Sequence, residues 1–290
     1  MKNNDWLNHC KKNITSMNGE DGIIETALEL IGKNAELNQW CVEFGAWDGK
    51  HLSNTYNLIQ NKAYSSVQIE GMQDKYIELQ NTFKNNEKVH THLGYVGMSK
   101  ENSLDHLLSA YPIPEDFDFL SIDIDGNDYY TWKPVVKYRP KLVCIEFNPT
   151  VPNEVDFLQA CDPSINQGAS ILSLNLLAKE KGYELIATTL NNAFFVDEKY
   201  FPLFEINDNS LDKIRTDKSR VTYIFSGYDG TVYIRGFGKL DLHNLKFEEK
   251  RFQLLPSFLR GYSDTETEKK SPFKKLLKKT YKSLHKRNII

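Results

Sequence analysis

Trp40-Cys41-Val42-Glu43-Phe44-Gly45-Ala46-Trp47-Asp48-Gly49 is the stretch on which the fold turns. A short, mostly apolar run breaks into a glycine, a small residue and a second glycine four positions after the first. Ser53-Asn54-Thr55 follow, residue types that open helices. That is the text of a strand, a tight turn and a helix start. Glycine at a strand end lets a ligand come close to the backbone, and a helix N-terminus offers unpaired N–H groups. The glycine fingerprint of dinucleotide sites is incomplete, since its third position falls at Lys50 or later, and a plain strand-to-helix turn accounts for the same residues.

Outward from this unit, apolar runs recur at Ser66–Ile69, Val89–Leu93, Phe117–Ile124 and Leu142–Phe147. Amphipathic stretches separate the first of them, among them Gln73–Phe83 and Ser103–Leu108, and a helical stripe (Ile23, Ile24, Ala27, Leu28, Ile31) precedes the set. Strand and helix alternating at this spacing predict right-handed crossover units and a parallel sheet, an α/β fold. Residues 148–169, rich in Pro and Asn, predict a long loop of functional type. A helix over Ala169–Lys181 and strands at Tyr183–Thr188 and Ala193–Val196 complete the unit, 206–219 reads as a connector, and Asp229-Gly230 turns a further hairpin, Val221–Phe225 with Thr231–Arg235.

Composition narrows the function classes. The 290 residues are 26% charged and 40% apolar, enough for a packed core. No run of 18 apolar residues exists to cross a membrane, and Met1–Lys12 lacks an apolar leader core. Cys10, Cys41, Cys144 and Cys161 have no metal-type spacing and read as reduced packing cysteines of a cytoplasmic protein. The net charge of −3 hides an asymmetry: 269–290 hold nine Lys or Arg and no acid, leaving 27 bases against 39 acids in 1–268. So acidic a body is a poor match for nucleic-acid phosphates.

Carboxylates gather at strand ends. Glu70-Gly71 closes the second strand, where an acid can accept from ribose hydroxyls. Asp123-Ile124-Asp125-Gly126-Asn127-Asp128 closes the fourth, and Glu146-Phe147-Asn148 the fifth. Several acids emerging from apolar strands are costly unless a cation or hydrogen bonds compensate. Asp125 and Glu146 are the candidates for a catalytic base or for ligands of a divalent cation such as Mg or Mn, while Asp128 reads equally as a helix cap. The scattered histidines His51, His90, His92 and His106 have no metal-pair spacing, and Trp47, Tyr129, Tyr130 and Trp132 read as core or cleft wall.

In combination these motifs resemble the FkbM-like S-adenosylmethionine-dependent methyltransferases. The resemblance is carried by Glu43-x-Gly45-Ala46-x-x-Gly49, by Asn18-Gly-Glu-Asp-Gly-Ile-Ile-Glu25, by Ile122-Asp123-Ile124-Asp125-Gly126 and by Phe194-Phe195-Val196-Asp197, over about 18–205. It implies a Rossmann-like class I methyltransferase domain over 1–205, a three-layer sandwich around a mostly parallel seven-stranded sheet in order 3-2-1-4-5-7-6, followed by a β-hairpin extension over 206–268. It also implies S-adenosyl-L-methionine as cofactor. Carried over, Glu43, Gly45, Ala46 and Gly49 would bound its methionine and sulfonium end, Glu70 its ribose and Gly94 or Tyr95 its adenine. Asp123 would face its amino group, with Asn54 and Gly71 in the same turns. The chain departs from the pattern at Trp47 and Asp48, where small or apolar residues are usual, and at Asp125, where relatives carry Glu. The acceptor expected from the family is a saccharide or lipid-linked glycan hydroxyl, with residues such as Asn153, Glu154 and Asn166 of the 148–169 loop as lid or acceptor site.

Two rivals use the same residues. Asp123-Ile124-Asp125 also fits the metal motif of a nucleotide-sugar glycosyltransferase, and a membrane-attached binding module could keep the fold without catalysis. The 269–290 tail bears on the second: Phe273, Leu276, Leu277, Thr280, Tyr281 and Leu284 fall on one helical face with lysines around the rest, the pattern of a peripheral helix at the inner face of a membrane. A solvated tail is the plainer reading of the same charges.

Overall fold

The computed structural model describes residues 2–261 and 272–287. The chain divides into two compact units, Met1–Lys218 and Ser219–Ile290.

The first unit is built on seven strands: β1 (Trp40–Phe44), β2 (Ser65–Glu70), β3 (Val89–Leu93), β4 (Phe119–Ile122), β5 (Leu142–Glu146), β6 (Tyr183–Thr188) and β7 (Asn192–Asp197). They form one sheet in the order β3-β2-β1-β4-β5-β7-β6, all parallel but for β7, which runs antiparallel to both β5 and β6. This is the Rossmann-like class I methyltransferase topology. Helices α1 (Glu20–Gly32), α2 (Tyr56–Asn61), α3 (Gln73–Phe83), α4 (Leu104–Leu108), α5 (Asp128–Trp132) and α6 (Ile171–Glu180) fill the connections. The sheet grows one way from β1 and the other way from β4, so right-handed crossovers lay helices on its two opposite faces.

The central strands are where the sequence is apolar without interruption. Every residue of β4 is buried, as are Leu142, Val143, Cys144 and Ile145 of β5, the pattern of parallel strands covered on both faces. At the edge, Val89-His-Thr-His-Leu of β3 is only partly covered, with His90 stacked on Trp40 and His92 hydrogen-bonded to the Tyr111 hydroxyl. Cys41 and Cys144 are buried free thiols in the core and Cys161 is an exposed one. Ser170 caps α6 by accepting from the Ser173 N–H, so that helix starts two residues later than its apolar text suggests.

Residues 206–218 are not the connector their polar composition predicts. They lie in the first unit, where α7 (Leu211–Ile214) puts Ile214 into the core. Arg215 is 1% exposed and donates to the carbonyls of Pro149 and Val151 and to Asn153 Oδ1. The N-terminus is tied to the same region: Asn8 donates to the Ile214 carbonyl and accepts from the Thr188 N–H, and the Trp6 indole donates to the Phe204 carbonyl.

The second unit contains the hairpin β8 (Thr222–Ser226) and β9 (Val232–Gly236), turned through Asp229-Gly230 as expected, a two-residue ladder β10–β11 (Lys239–Leu240 with Leu245–Lys246) and the helix α8 (Pro272–Lys286). Residues 269–271 and 288–290 of the basic tail lie outside the described residues.

Under β4, Asp118 is fully buried and Lys141 is 2% exposed, with 2.9 Å between Nζ and Oδ1. Asp118 also accepts from the Asn38 and Gln39 N–H groups, so it pins the entry to β1. Removing one partner of such a pair strands the other charge in the core. Lys141→Met is therefore expected to cost about 3–5 kcal/mol in urea unfolding, and Asp118→Asn in the same chain is expected to restore part of it.

Candidate functional site

The site lies at the carboxyl ends of β1, β2, β4 and β5, where the sheet's growth direction reverses between β1 and β4. Gly45 leaves β1 with φ +77°, and a Cβ there would sit 1.8 Å from the Asp123 carbonyl oxygen. Only glycine permits that contact, so the β1 turn lies directly against the end of β4. Trp47 adopts a left-handed φ of 51° as the turn continues, and its ring carries the Lys75 ammonium at 4.5 Å.

Two predicted residues of the first motif serve the turn from inside. The Glu43 carboxylate is 5% exposed and accepts from the hydroxyls of Ser53 and Thr55, both at 2.6 Å, and from the Asn54 N–H at 2.9 Å. Burial pushes its carboxyl above the ordinary value and those hydrogen bonds oppose the shift. Asn54 is 4% exposed, its amide donating to Ser121 Oγ on β4. Gly49 has φ +76°, and its missing side chain makes room for Leu79 and Phe83 of α3, a packing reason for that glycine. Ala46 is buried, with its N–H on the Ile69 carbonyl.

The ends of β2 and β3 are also brought together. Glu70 is 5% exposed and accepts from the Trp47 N–H (2.8 Å) and the Met72 N–H (2.7 Å), which fixes the β1 and β2 turns to each other. Each carboxylate oxygen keeps acceptor capacity beyond one hydrogen bond. A Cβ on Gly71 would meet the Tyr95 ring at 2.2 Å, so Tyr95 covers that glycine while staying 70% exposed. Gly94 donates to the Glu70 carbonyl.

At the ends of β4 and β5 the acids converge. Carboxylate oxygens of Asp123, Asp125 and Glu146 all lie within 4.8 Å of one another. Asp128, 1% exposed, accepts from the Ile124 and Gly126 N–H groups, so it clamps the turn rather than capping the following helix, and burial takes its carboxyl up to about 6. Burial, with Glu146 next, holds Asp123 well above the ordinary carboxylate range. Burial and then Asp128 push Glu146 up to about 8, against the hydrogen bond it accepts from Asn191. Among the described residues no Lys, Arg or His lies within salt-bridge distance of the trio. Asp125 sits at a left-handed φ of 55° at the exposed rim.

Sequence reasoning missed Asn191. Its amide donates to Glu146 Oε1 at 3.0 Å, and its carbonyl accepts from the Asn18 amide at 2.8 Å. Glu20, two residues on, accepts from Thr189 and Asn192, so the Asn18–Glu25 motif is anchored to the β6–β7 turn and through it to Glu146. The only local sign was the Asn191-Asn192 turn pair.

The 148–169 loop crosses the acidic end of β4. Asn166 donates to the Asp125 carbonyl, Asn127 to the Asp162 carbonyl, and Tyr130 to the Gln159 carbonyl. Gln159, 2% exposed, holds the loop's return by accepting from the Gln167 and Gly168 N–H groups. Asn153 is buried as an anchor to Arg215 and Asp212, whereas Glu154 and Asn166 are exposed.

No family model matches the chain. No curated protein matches it either. Solved structures similar to it include the N-terminal domain of EvdMO1 with S-adenosylhomocysteine bound (TM-score 0.37, 10% identity, 60% of this chain and 78% of that one). Others are TrmK of M. capricolum in complex with S-adenosylhomocysteine (0.36, 12%, 60% and 65%) and an O-methyltransferase of Bacillus cereus in complex with S-adenosylhomocysteine (0.41, 15%, 63% and 84%). Likeness at these scores decides nothing about the chemistry of this chain, which has to come from its own residues.

The raised Glu146 carboxyl fixes the sign of a pH effect. Its pKa in the folded chain, about 8, lies above the ordinary 4.5, so the folded state binds the extra proton between those values. That contribution to stability is present below the ordinary carboxyl range and is lost as pH rises through about 8. The chain without ligands is expected to lose stability over this window with a slope of at most about 1.4 kcal/mol per pH unit for one proton. Chemical denaturation at a series of pH values should show a shallower slope for Glu146→Gln.

Proposed function

We propose that the chain is an FkbM-like, S-adenosylmethionine-dependent O-methyltransferase acting on a hydroxyl of a saccharide or glycan. The observation that carries this is the placement of three uncompensated carboxylates beside a glycine turn, at the point where a 3-2-1-4-5-7-6 sheet reverses its direction.

The donor set fits the cofactor. A sulfonium and an ammonium group are both positive, and a cluster of partly buried and exposed acids with no cationic side chain within salt-bridge distance among the described residues gains from either. Asp123 is the residue to hold the amino group, backbone 45–47 the methionine end, and Glu70, with acceptor capacity left beyond its two backbone partners, the ribose. Tyr95 and Gly94, at the end of β3, border the adenine side. When bound, the cofactor supplies a methyl group already activated for transfer.

The remaining work falls to Glu146 and Asp125, which must take the proton of a weakly acidic sugar hydroxyl as it attacks. Asn191, by donating to Glu146, keeps that carboxylate aimed from the β7 side. A divalent cation held by Asp125 and Glu146 would lower the hydroxyl's pKa instead, and the same three carboxylates would suit it. Asn166, which reaches the Asp125 carbonyl, and exposed Glu154 of the same loop offer the polar contacts that an acceptor rich in hydroxyls requires.

Calorimetric titration with S-adenosylhomocysteine, with and without Mg or Mn and with UDP in parallel, tests the reading. Micromolar binding of S-adenosylhomocysteine is expected, weakened at least about tenfold in Asp123→Asn, the scale of one lost charged hydrogen bond. Metal-dependent binding of UDP with silence toward S-adenosylhomocysteine would make the protein a glycosyltransferase instead. Binding without transfer to any glycan acceptor would leave a non-catalytic module.

A further inference from the structure

We propose that the second unit, Ser219–Ile290, is a docking surface for a lipid bilayer carrying anionic headgroups, with α8 as the element that lies on it. The inference does not depend on the chemistry assigned to the first unit.

The helix separates its two kinds of side chain cleanly. At 100° per residue, Phe273, Leu276, Leu277, Tyr281 and Leu284 fall within an arc of about 140°. Lys275, Lys278, Lys279, Lys282 and Lys286 fall on the opposite arc, and the helix contains no acid. Phe273 and Leu276 are 70% and 62% exposed, while Leu277, Tyr281 and Leu284 are partly covered. No described helix is long and apolar enough to cross a membrane, and α8 at 15 residues spans only about 22 Å. Such a helix lies in the interface plane, apolar arc inward and ammonium groups among the headgroups.

The rest of the unit is built in the same sense. Among its described residues only Val221, Ile234 and Leu259 are buried apolar side chains. Among the described residues, nine large apolar side chains are at least half exposed in this unit, Ile224, Tyr228, Leu242 and Phe258 among them, against three in the three-fold longer first unit. An apolar surface this dense on so short a segment marks a place where water is displaced by a partner.

Charge selects the partner. Residues 269–290 carry nine positive charges and no negative one, whereas 1–268 carry a net −12. An anionic surface attracts the first, and the negative excess of the second lies outside this unit's 219–268 segment, which is neutral with seven bases and seven acids, so docking is led by the helix and not opposed by the rest of the unit. A nucleic acid would answer the lysines but leaves no role for the apolar arc.

Co-sedimentation of the full chain with phosphatidylcholine vesicles, with and without a minority of phosphatidylglycerol, is the test. Pelleting is expected only with the anionic lipid and should fall as salt rises. The triple variant Lys275→Gln/Lys279→Gln/Lys282→Gln is expected to bind about 100-fold more weakly, at roughly fivefold per lysine. Phe273→Ser/Leu276→Ser, with charge unchanged, is expected to lose at least about tenfold. All five substituted positions are exposed, and unchanged thermal unfolding of each variant shows that folding is intact. Equal pelleting on neutral vesicles, wild-type binding by either variant, or binding to a random DNA duplex in place of vesicles would overturn the proposal.

Discussion

The contact between Gly45 and the Asp123 carbonyl is the constraint from which the site follows. With no side chain at Gly45, the turn leaving β1 can rest on the backbone at the end of β4, where any Cβ would collide. The two strands are also where the sheet's order reverses, with β2 and β3 on one side and β4, β5, β7 and β6 on the other. A crevice opens there because the connections on either side depart in opposite directions. The register then sets the acids: Ile122 pairs with Ile145, so the next residues, Asp123 and Glu146, emerge level on neighbouring strands.

What distinguishes the acids is how their charge is met. Glu43 takes three donors from Ser53, Asn54 and Thr55; Glu70 takes two backbone N–H groups; Asp128 takes two more. These are structural acceptors, buried at tolerable cost because hydrogen bonds replace water. Among the described residues, the carboxylates of Asp123, Asp125 and Glu146 have less provision: Glu146 accepts from the Asn191 amide. Three neighbouring carboxylates are held by backbone and hydroxyl donors, whereas the trio has few donors among the described residues, and that difference is what the proposed cofactor reading rests on.

The strands and α3 were legible in the sequence because an uninterrupted apolar run or a helical stripe has few other uses, and Gln73–Phe83 and Trp40–Phe44 have the bounds their text suggests. The glycines were legible as turns but not in purpose, since Gly45 answers a backbone across the sheet and Gly49 a helix, and neither partner is near in sequence. Glu43 and Asn54 illustrate the same limit: a residue that shapes a turn and one that lines it look alike in a motif. Residues 206–218 misled in the other direction, for their polar composition hides Ile214 in the core and Arg215 clasping the 149–153 segment some sixty residues back. Asn191 reaches Glu146 and Asn18 across separations of 45 and 173 residues, which no local pattern encodes.

The two units carry opposite deficits, and this is the deeper regularity of the chain. The first has a large core, and three of its acids cluster at one crevice. Among its described residues the second has three buried apolar side chains, a small core for their number. Its apolar side chains face outward and its helix is purely cationic. Hydrophobic burial that a unit completes only in part internally favours burial against a partner, and a purely cationic helix suits the anionic bilayer proposed for it better than it would suit a neutral surface.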